Sequence, residues 1–463
     1  MERSNFAFLR FLDQESDTEE QPSPPTRLSV LEPPAPQVGP GNILRLPDGI
    51  IHEILWGLGI EGIARFRCLS KTCKRLTESV RRLSINSQEI GDHPTERELF
   101  HEFLTSYFRR TLYVKSFEVS WVFKEGNSRN ELEYIVQWLQ EAIKRRVEYI
   151  RINFQPRKEL RVLTQQVHES ISIDSLCRHL STRFGFIEVL SLNSVALLEE
   201  SILNFGHLIG SCTSLRRLKL VNIRGIKSLM FTSNSLEELF LENFGDGSLC
   251  QIFVPEAKNL KKLVVCLNSY DDNESHLFVL ATQLSTLSLN GDIRVDLGDL
   301  SKLESAFLYW KEDPYRRSQN KKLLDIRVAA VLRSACRARF LVTGELFLQS
   351  LKDREELAIG KFNHAEDVIV YVSPSRGFQF YPIAIFLLRF PNLSRLFLRS
   401  RRRTGDRGGR GGVDWKDHGV VQVIQQLEVI KIQIFKRIRI DEIIKYFLWR
   451  SRAMKKLTIT FPT

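Results

Sequence analysis

One hydrophobic pattern recurs along most of the chain, with apolar residues at the first, fourth and sixth positions of a hexapeptide. Copies of this L-x-x-L-x-L pattern are VEYIRI at 147, IEVLSL at 187, LRRLKL at 215, LEELFL at 236, LKKLVV at 260, LSTLSL at 284, LESAFL at 303, LSRLFL at 393, LEVIKI at 427 and MKKLTI at 454. From position 215 onward the early spacings are 21, 24, 24 and 19 residues. Alternation of apolar and polar side chains is typical of β-structure, so each hexapeptide predicts one short strand.

A period of roughly 20 to 29 residues with one strand per unit is the pattern of leucine-rich repeats, which stack because one unit cannot bury its own apolar side chains. The sequence therefore predicts an α/β fold in which residues 147–400 form a curved solenoid of short parallel strands. The fourth and sixth positions are predicted to point inward: Leu218, Leu220, Leu239, Leu241, Leu287 and Leu289. The position that usually carries an Asn ladder is apolar at Val195, Ile223 and Phe244, so packing is expected to close these repeats. Residues 320–340 are predicted to form a helix.

Residues 43–85 have helical spacing instead. Leu46-Pro47-Asp48 is typical of a helix start, because Pro is tolerated in the first turn and Asp favours the positive helix end. One apolar stripe follows at Ile50, Ile51, Ile54, Leu55 and Leu58, and a second helical stripe at Leu69, Cys73, Leu76, Val80 and Leu83. The glycines of GLGIEG at 57–62 fit G-x-G-x-x-G, but a dinucleotide site needs a strand before them and an acidic residue about 20 positions later. Neither is present, so we interpret this stretch as a connection between helices.

Composition narrows the classes of protein that fit. Apolar residues make up 43% of the 463 residues, which is enough for a sizeable core, and the net charge of +12 permits acidic partners. Seven cysteines without a C-x-x-C spacing argue against a disulfide framework or a zinc site and favour a reducing compartment. The first residues lack a signal-peptide apolar region, and no apolar run approaches the roughly 20 residues that span a bilayer, so we expect no membrane association.

The segment LPDGIIHEILWGLGIEGIARFRCLSKTCKRL resembles an F-box, on the strength of Leu46-Pro47-Asp48, the Ile-Ile-x-x-Ile-Leu stripe and RFRCLSK at 65–71, which is typical of the plant branch. This resemblance implies a three-helix module that docks a SKP-type adaptor and, through it, a cullin. The implied adaptor-binding residues are Leu46, Pro47, Ile50, Ile54, Leu69 and Ser70. The chain departs from the family pattern at Gly59, where Pro is common, and at Cys73, where Trp is common.

The tail from Trp415 is similar to the FBD region that follows divergent leucine-rich repeats in many plant F-box proteins, with a strand, a helix and a strand. The expected organisation is a disordered segment rich in Pro, Ser and Glu at 1–42, an F-box at 43–85, a helical linker and repeat cap at 86–146, leucine-rich repeats at 147–400, a basic Gly-rich loop at 401–414 and an FBD-like region at 415–463. We expect a location in the nucleus, the cytoplasm or both.

The third, fifth and seventh positions of each strand alternate away from the inward leucines. Large aromatic and basic side chains there are typical of binding hot spots. The predicted target-binding residues are Phe240, Phe307, Tyr309, Phe397, Arg217 and Lys219. An alternative is that loops or the tail cover these rings as ordinary core.

The F-box resemblance, with a repeat stack that could hold a target, implies a non-catalytic substrate receptor of a ubiquitin ligase, and we expect no cofactor and no metal. An enzyme is not favoured, because G-x-S-x-G, H-E-x-x-H and Walker A motifs are absent from the sequence. A nucleic-acid-binding protein or a repeat scaffold without ligase association remains an alternative, prompted by the net charge and by RSRRRTGDRGGRGG at 399–412. Against nucleic acid, the basic strand at 215 precedes an acidic one at 236 and a basic one at 260, and opposite charges cancel at a distance.

Overall fold

The computed structural model describes residues 46–78, 80–90, 93–123, 128–154, 170–171, 184–197, 202–223, 228–242, 251–266, 275–291, 293–310, 321–348, 360–372, 383, 386–400, 421–433, 447–449 and 451–460. The chain divides into two compact units, unit 1 (Met1–Glu169) and unit 2 (Ser170–Thr463). The predicted disordered segment at 1–42, the basic loop at 401–414 and Phe244 lie outside the described residues.

Unit 1 is built from helices that alternate with parallel strands. Its helices are α1 (Asp48–Gly57), α2 (Gly59–Arg67), α3 (Lys71–Glu78), α4 (Ser87–Ile90), α5 (Pro94–Arg110) and α6 (Ser128–Lys144). Its strands are β1 (Arg82–Asn86), β2 (Ser116–Trp121) and β3 (Tyr149–Phe154). The three strands pair in parallel, in the register Arg82↔Ser116↔Tyr149. Helix α5 begins where Pro94 occupies the first turn and where Glu96 accepts a hydrogen bond from the backbone nitrogen of His93 at 3.2 Å.

The sequence predicted one continuous helix for the second stripe, from Leu69 to Leu83. The structure has a helix followed by a strand instead. Helix α3 ends at Glu78, and Leu83 lies in β1, where its side chain is buried. The join between α3 and β1 is fixed by Tyr107 of α5, whose hydroxyl lies 3.0 Å from the carbonyl oxygen of Thr77 and 3.1 Å from that of Val80. Burial raises the pKa of Tyr107 to about 12, so this hydroxyl keeps its proton and can donate to either carbonyl.

His101 connects α5 to α6 and is expected to make the stability of unit 1 depend on pH. Trp138 donates from Nε1 to Nδ1 of His101 at 3.0 Å, and the imidazole stacks on Tyr134 with the ring centroids 4.0 Å apart. Loss of hydration on burial lowers the pKa of His101 from 6.5, although Glu102 acts in the opposite direction. Because the folded pKa lies below the unfolded one, this stabilisation is present above pH 6.5 and is lost as the pH falls through the folded pKa.

We therefore expect the urea midpoint of the protein to fall between about pH 7.5 and about pH 5, and to fall less in a His101→Gln variant. Glutamine does not titrate, yet its amide oxygen can still accept the hydrogen bond from Trp138. Denaturation followed by circular dichroism at both pH values measures the difference. Equal pH dependence in the two proteins would show that His101 does not contribute in this way.

Unit 2 carries most of the repeat strands. Its strands are β4 (Ser170–Ile171), β5 (Val189–Asn193), β6 (Ala196–Leu197), β7 (Arg217–Val221), β8 (Ser228–Met230), β9 (Glu238–Glu242), β10 (Gln251–Val254), β11 (Lys262–Cys266), β12 (His276–Val279), β13 (Thr286–Asn290), β14 (Arg294–Asp296), β15 (Ser305–Leu308), β16 (Phe340–Gly344), β17 (Asp367–Val372), β18 (Arg395–Ser400), β19 (Val429–Gln433) and β20 (Lys456–Thr460). Its helices are α7 (Ile202–Ser211), α8 (Lys321–Ser334), α9 (Glu345–Leu348) and α10 (Val421–Gln426), with a 3-10 turn at Phe184–Phe186.

The main sheet of unit 2 has the order β5-β7-β9-β11-β13-β15-β16-β17-β18-β19-β20, and the pairs are parallel. The six leucines predicted to point inward are all buried, and so are Val195 and Ile223 after their strands. Each hexapeptide found in the sequence overlaps one of the strands. The helix predicted at 320–340 is present as α8, but it ends at Ser334, and Phe340 already begins β16. The fold is therefore α/β with parallel strands, consistent with a leucine-rich-repeat solenoid.

Two features of unit 2 were not predicted. The short strands β8, β10, β12 and β14 form a second parallel sheet, which contributes Leu229, Ile252 and Leu277 to the interior. Strands β16 and β17 extend the main sheet between β15 and β18. The repeats between β7 and β15 therefore return to the main sheet through short strands, whereas α8 precedes β16.

Candidate functional site

Helix α1 has two apolar faces, only one of which is buried. Ile51 and Leu55 are 1% and 0% exposed and pack into the module, whereas Ile50 and Ile54 are 51% and 37% exposed. Leu46 and Leu58 are also exposed. Carbonyl oxygen of Pro47 accepts hydrogen bonds from the backbone nitrogens of Ile50 and Ile51 at 2.9 and 3.1 Å, which starts the helix. An outward row of large aliphatic side chains on a short helix is unusual for a surface that faces only water.

The connection from α2 to α3 presents a further exposed apolar side chain. Leu69 is 72% exposed, and Ser70 beside it is exposed as well. The Ser70 hydroxyl oxygen accepts a hydrogen bond from the backbone nitrogen of Cys73 at 3.0 Å, so Ser70 caps α3. Cys73 itself is buried and packs inside the module. Ser70 therefore has a structural reason to be serine, in addition to its place beside the exposed leucine.

The glycines of GLGIEG have distinct structural roles in the tight connection between α1 and α2. Gly59 has a φ of +67°, a conformation that Pro cannot adopt because its ring holds φ near about −65°. This connection therefore requires a residue other than the Pro that is common in the family. A Cβ atom at Gly62 would lie 2.4 Å from Cβ of Leu58, so Gly62 permits close packing.

The predicted target-binding residues share one face of the main sheet of unit 2, opposite the buried leucines. We call this the front face; its first cluster contains Arg217, Lys219 and Phe240 on β7 and β9. Arg217 forms two hydrogen bonds with Glu238, at 2.8 and 3.0 Å, so its guanidinium is engaged within the sheet. Lys219 lies in register with Phe240 and is exposed. Phe240 is half-buried, with Nζ of Lys262 5.1 Å from the ring centroid.

The second cluster on the front face contains Phe307, Tyr309 and Phe397. All three are half-buried, so they are neither free in water nor part of the closed core. The register places Val264 and Ser288 between Phe240 and Phe307, which separates the two clusters. Sequence reasoning missed further members of the second cluster, because it did not recognise β16 and β17. The alternation in DVIVYV at 367–372 was the signal for the second of these strands.

The charge alternation predicted along the early repeats is present as ion pairs. Glu237 accepts hydrogen bonds from Nε of Arg216 at 2.9 Å and from Nζ of Lys261 at 3.1 Å, and this lowers the pKa of the Glu237 carboxyl. Such exposed pairs add little stability. They do neutralise the field of β7, β9 and β11 at a distance. This part of the front face therefore has no strong net attraction for either sign of charge.

Comparison with known proteins finds relatives of the plant F-box class. An F-box/FBD/LRR-repeat protein of Arabidopsis thaliana is 27% identical over 58% of this chain and 60% of its own length. An FBD-associated F-box protein of the same plant is 22% identical over 59% of this chain and 58% of its own length. These matches support a plant F-box/FBD/LRR-type protein. A scan against protein-family models finds no match.

The F-box resemblance implies a three-helix module, and α1, α2 and α3 are three short consecutive helices. The chain spans about three fifths of the length of the curated relatives it matches. In the FBD-like tail, β19 and β20 pair in parallel and residues 447–449 are helical, as the predicted order of strand, helix and strand requires. Within the described residues, no cluster of His, Cys, Asp or Glu could hold a metal ion. Searching the same residues identifies no helix with the length and apolar character needed to cross a membrane.

Proposed function

We propose that this chain is the substrate-recognition subunit of an SCF-type cullin-RING ubiquitin ligase. In this proposal the F-box docks a SKP-type adaptor, which links it to the cullin, and the front face of the repeats binds a target protein. The chain supplies no catalytic group and needs no cofactor, because ubiquitin transfer occurs on other subunits. Holding the target near the loaded enzyme raises its effective concentration, and this proximity accelerates transfer.

The observation that carries the adaptor part is the exposed aliphatic row on α1. A soluble helix normally turns one apolar stripe toward the core and leaves polar residues outside. Here the core side is satisfied by Ile51 and Leu55, yet Ile50 and Ile54 remain outside. A second protein that covers the outer row would remove this apolar area from water, at about 25 cal/mol per Å². Leu46, just before α1, and Leu69, between α2 and α3, are further exposed aliphatic side chains among the proposed adaptor-binding residues.

An Ile50→Ala, Ile54→Ala double variant is expected to reduce adaptor affinity by at least about tenfold while the melting temperature stays close to wild type. Both side chains project outward, so their truncation leaves no internal cavity. Binding of purified adaptor to the full chain by calorimetry measures the affinity. Leu46→Ala with Pro47→Ala is expected to give the same result through the start of the helix.

Two controls on α1 make the result interpretable. Glu53→Ala removes an exposed polar side chain from the same helix and should leave adaptor binding unchanged. Ile51→Ala truncates a buried side chain. It should lower the free energy of unfolding by about 2–5 kcal/mol, and the melting temperature should fall with it. Wild-type adaptor affinity in the folded Ile50→Ala, Ile54→Ala variant would refute the docking surface.

The alternative is a repeat scaffold or a nucleic-acid-binding protein without ligase association. Pull-down of the full chain followed by mass spectrometry separates these functions, since a receptor recovers adaptor, cullin and target together. A nucleic-acid-binding protein would instead show affinity that falls steeply with salt, because phosphate contacts release counterions. A nuclear or cytoplasmic location belongs to the proposal.

A further inference from the structure

The second cluster of the front face is a continuous apolar patch. We call it the aromatic patch and define it by Phe307, Tyr309, Phe340, Ile369, Tyr371 and Phe397. These side chains come from β15 to β18, except Tyr309, which directly follows β15, and all are half-buried. Val342 lies between Phe307 and Ile369 in the register and is only 3% exposed, because its larger neighbours cover it. Large apolar side chains on the face opposite the core are the composition of a binding surface rather than of a solvated sheet.

The rings of the patch contact each other in an ordered arrangement. Phe307 and Phe340 meet edge to face with centroids 5.7 Å apart. Tyr309 and Tyr371 lie on either side of β16. The backbones of β15 and β17, the two strands that flank β16, are about 9.6 Å apart. The centroids of the two tyrosine rings are nevertheless only 6.4 Å apart. The two rings therefore lean together over Gly344, which has no side chain to separate them. Packing of this kind holds the rings in place before any partner arrives, which lowers the entropy cost of binding.

Cations border the aromatic patch on one side only. Arg399 lies with Cζ 5.9 Å from the centroid of Tyr371, and Nζ of Lys431 lies 5.1 Å from the centroid of Phe397. Lys456 is in register with Val429 on the same face. None of these three cations forms an ion pair within the part of the chain that the structure describes. Arg395, the remaining cation of β18, is already paired with Asp367 of β17.

The cations beside the aromatic patch differ from Arg217 of the first cluster, which is paired within the sheet. On β7 and β9 the guanidinium of Arg217 is matched by Glu238 at two hydrogen-bond distances. On β18 to β20 the exposed cations face outward beside an apolar surface. Among the described front-face positions of β17 to β20, Asp367 is the one acidic residue. A partner that covers the patch brings its own charges close to Arg399 and Lys431. Electrostatic complementarity therefore requires acidic groups on that partner next to its apolar anchor.

We propose that the aromatic patch and its bordering cations bind a segment of the target protein in which an aromatic or aliphatic residue lies next to Asp or Glu. This inference rests on the proposed role of the front face in target binding, and it names the chemical class of the target. From β15 to β20 the sheet has five strand-to-strand steps, about 24 Å in all. An extended segment of about seven or eight residues covers that distance. A protein segment fits better than RNA because the half-buried Ile369 puts an aliphatic side chain between the rings of the patch, whereas stacked bases need exposed rings.

The test is selection from a random peptide library by the purified full chain, with peptides of about ten residues so that one can span the patch. We expect the selected peptides to pair Phe, Tyr, Trp or Leu with neighbouring Asp or Glu. Phe307→Ala with Phe397→Ala is expected to weaken the best peptide by about tenfold or more, because hot-spot side chains are lost. The melting temperature of each variant shows that it is folded.

A charge reversal sharpens the test. Arg399→Glu with Lys431→Glu is expected to lose the acidic peptides and to select peptides with Lys or Arg beside the apolar residue. Lys258→Glu with Lys302→Glu changes the net charge equally but lies in turns outside the front face, and should select the wild-type peptides. Three outcomes would overturn the inference. The wild type could select basic or purely acidic peptides, or the preference could stay unaltered after the charge reversal. A poly-uridine oligonucleotide could also displace the selected peptides.

Adaptor binding, measured in the same preparations, separates this inference from the proposed ligase role. A chain that selects the expected peptides but does not bind adaptor would refute the ligase role and leave the peptide class standing. A chain that binds adaptor but selects no acidic, apolar peptides would refute the peptide class alone.

Discussion

Leu239→Ala is expected to lower the free energy of unfolding of unit 2 by about 2–5 kcal/mol, because the lost methyl groups leave a cavity that a close-packed stack cannot fill. Leu239 is the second residue of β9 and is fully buried. Its register partners are Leu218 on β7 and Leu263 on β11, which are equally buried. A repeat contacts mainly its neighbours, so a cavity here weakens the interfaces on both sides of β9.

Thermal unfolding measures this loss, at about 2–4 °C per kcal/mol for a domain of this size. The matched control is Phe240→Ala, at the next residue of the same strand. Phenylalanine is larger than leucine, but Phe240 is half-buried on the front face, so its truncation should cost clearly less. If Phe240→Ala were as damaging as Leu239→Ala, the ring would belong to the core and the front face would not be a binding surface at that point.

The spacing of apolar residues is enough to predict strands β3, β5 and β7, because three apolar positions in six leave little choice of conformation. Strand β1 follows the same rule, with Val80, Leu83 and Ile85 buried. It was assigned to a helix because Val80 and Leu83 are three residues apart, a spacing that suits one face of a helix as well. Periodicity cannot separate the two structures over so few residues, and the backbone pairing with β2 decides in favour of the strand.

Strands β16 and β17 escaped notice because small residues replace the first leucine of the pattern. Ala338 and Ala365 occupy that position, and both are fully buried. Beside the second of them, the missing volume is supplied from outside the hexapeptide, where Phe362 stacks on Phe390 with centroids 4.5 Å apart. A pattern that expects a large residue at each site misses a core that is filled from elsewhere in the chain.

The proposed adaptor surface on α1 shows a similar limit of sequence patterns. The spacing of the isoleucines predicts that α1 is an apolar helix, but it cannot say which apolar face is covered, because Ile50 and Ile51 differ by only one position. The packing of Ile51 and Leu55 against the rest of the module answers this and leaves Ile50 and Ile54 outside. Family resemblance named the outer residues as adaptor-binding, and their exposure makes that assignment physically possible.

Glu131→Ala is expected to destabilise unit 1 by about 3–5 kcal/mol, because it leaves the charge of Arg97 buried without its counter-ion. The two side chains are 2.6 Å apart and almost fully buried. Arg97 also donates to the carbonyl oxygen of Val122 at 3.2 Å and lies 5.0 Å from the ring centroid of Trp121. Trp121 in turn donates from Nε1 to Glu131 at 2.9 Å. Nε of Arg97 finds no hydrogen-bond acceptor among the described residues, so the cation depends strongly on the carboxylate.

Chemical denaturation of the full chain measures the loss, and Glu133→Ala is the matched control because Glu133 is exposed two residues further along α6. An Arg97→Met, Glu131→Leu double variant tests the mechanism. It removes both charges and keeps apolar volume, so it should be more stable than Glu131→Ala alone. Should the double variant be the less stable of the two, packing of the residues around Trp121, rather than an uncompensated charge, would be the cause of the loss. The pair joins α5 and α6, and α5 also fixes the join between α3 and β1 through Tyr107. If α1 to α3 dock the adaptor as proposed, loss of Glu131 should also weaken that binding without any change on α1.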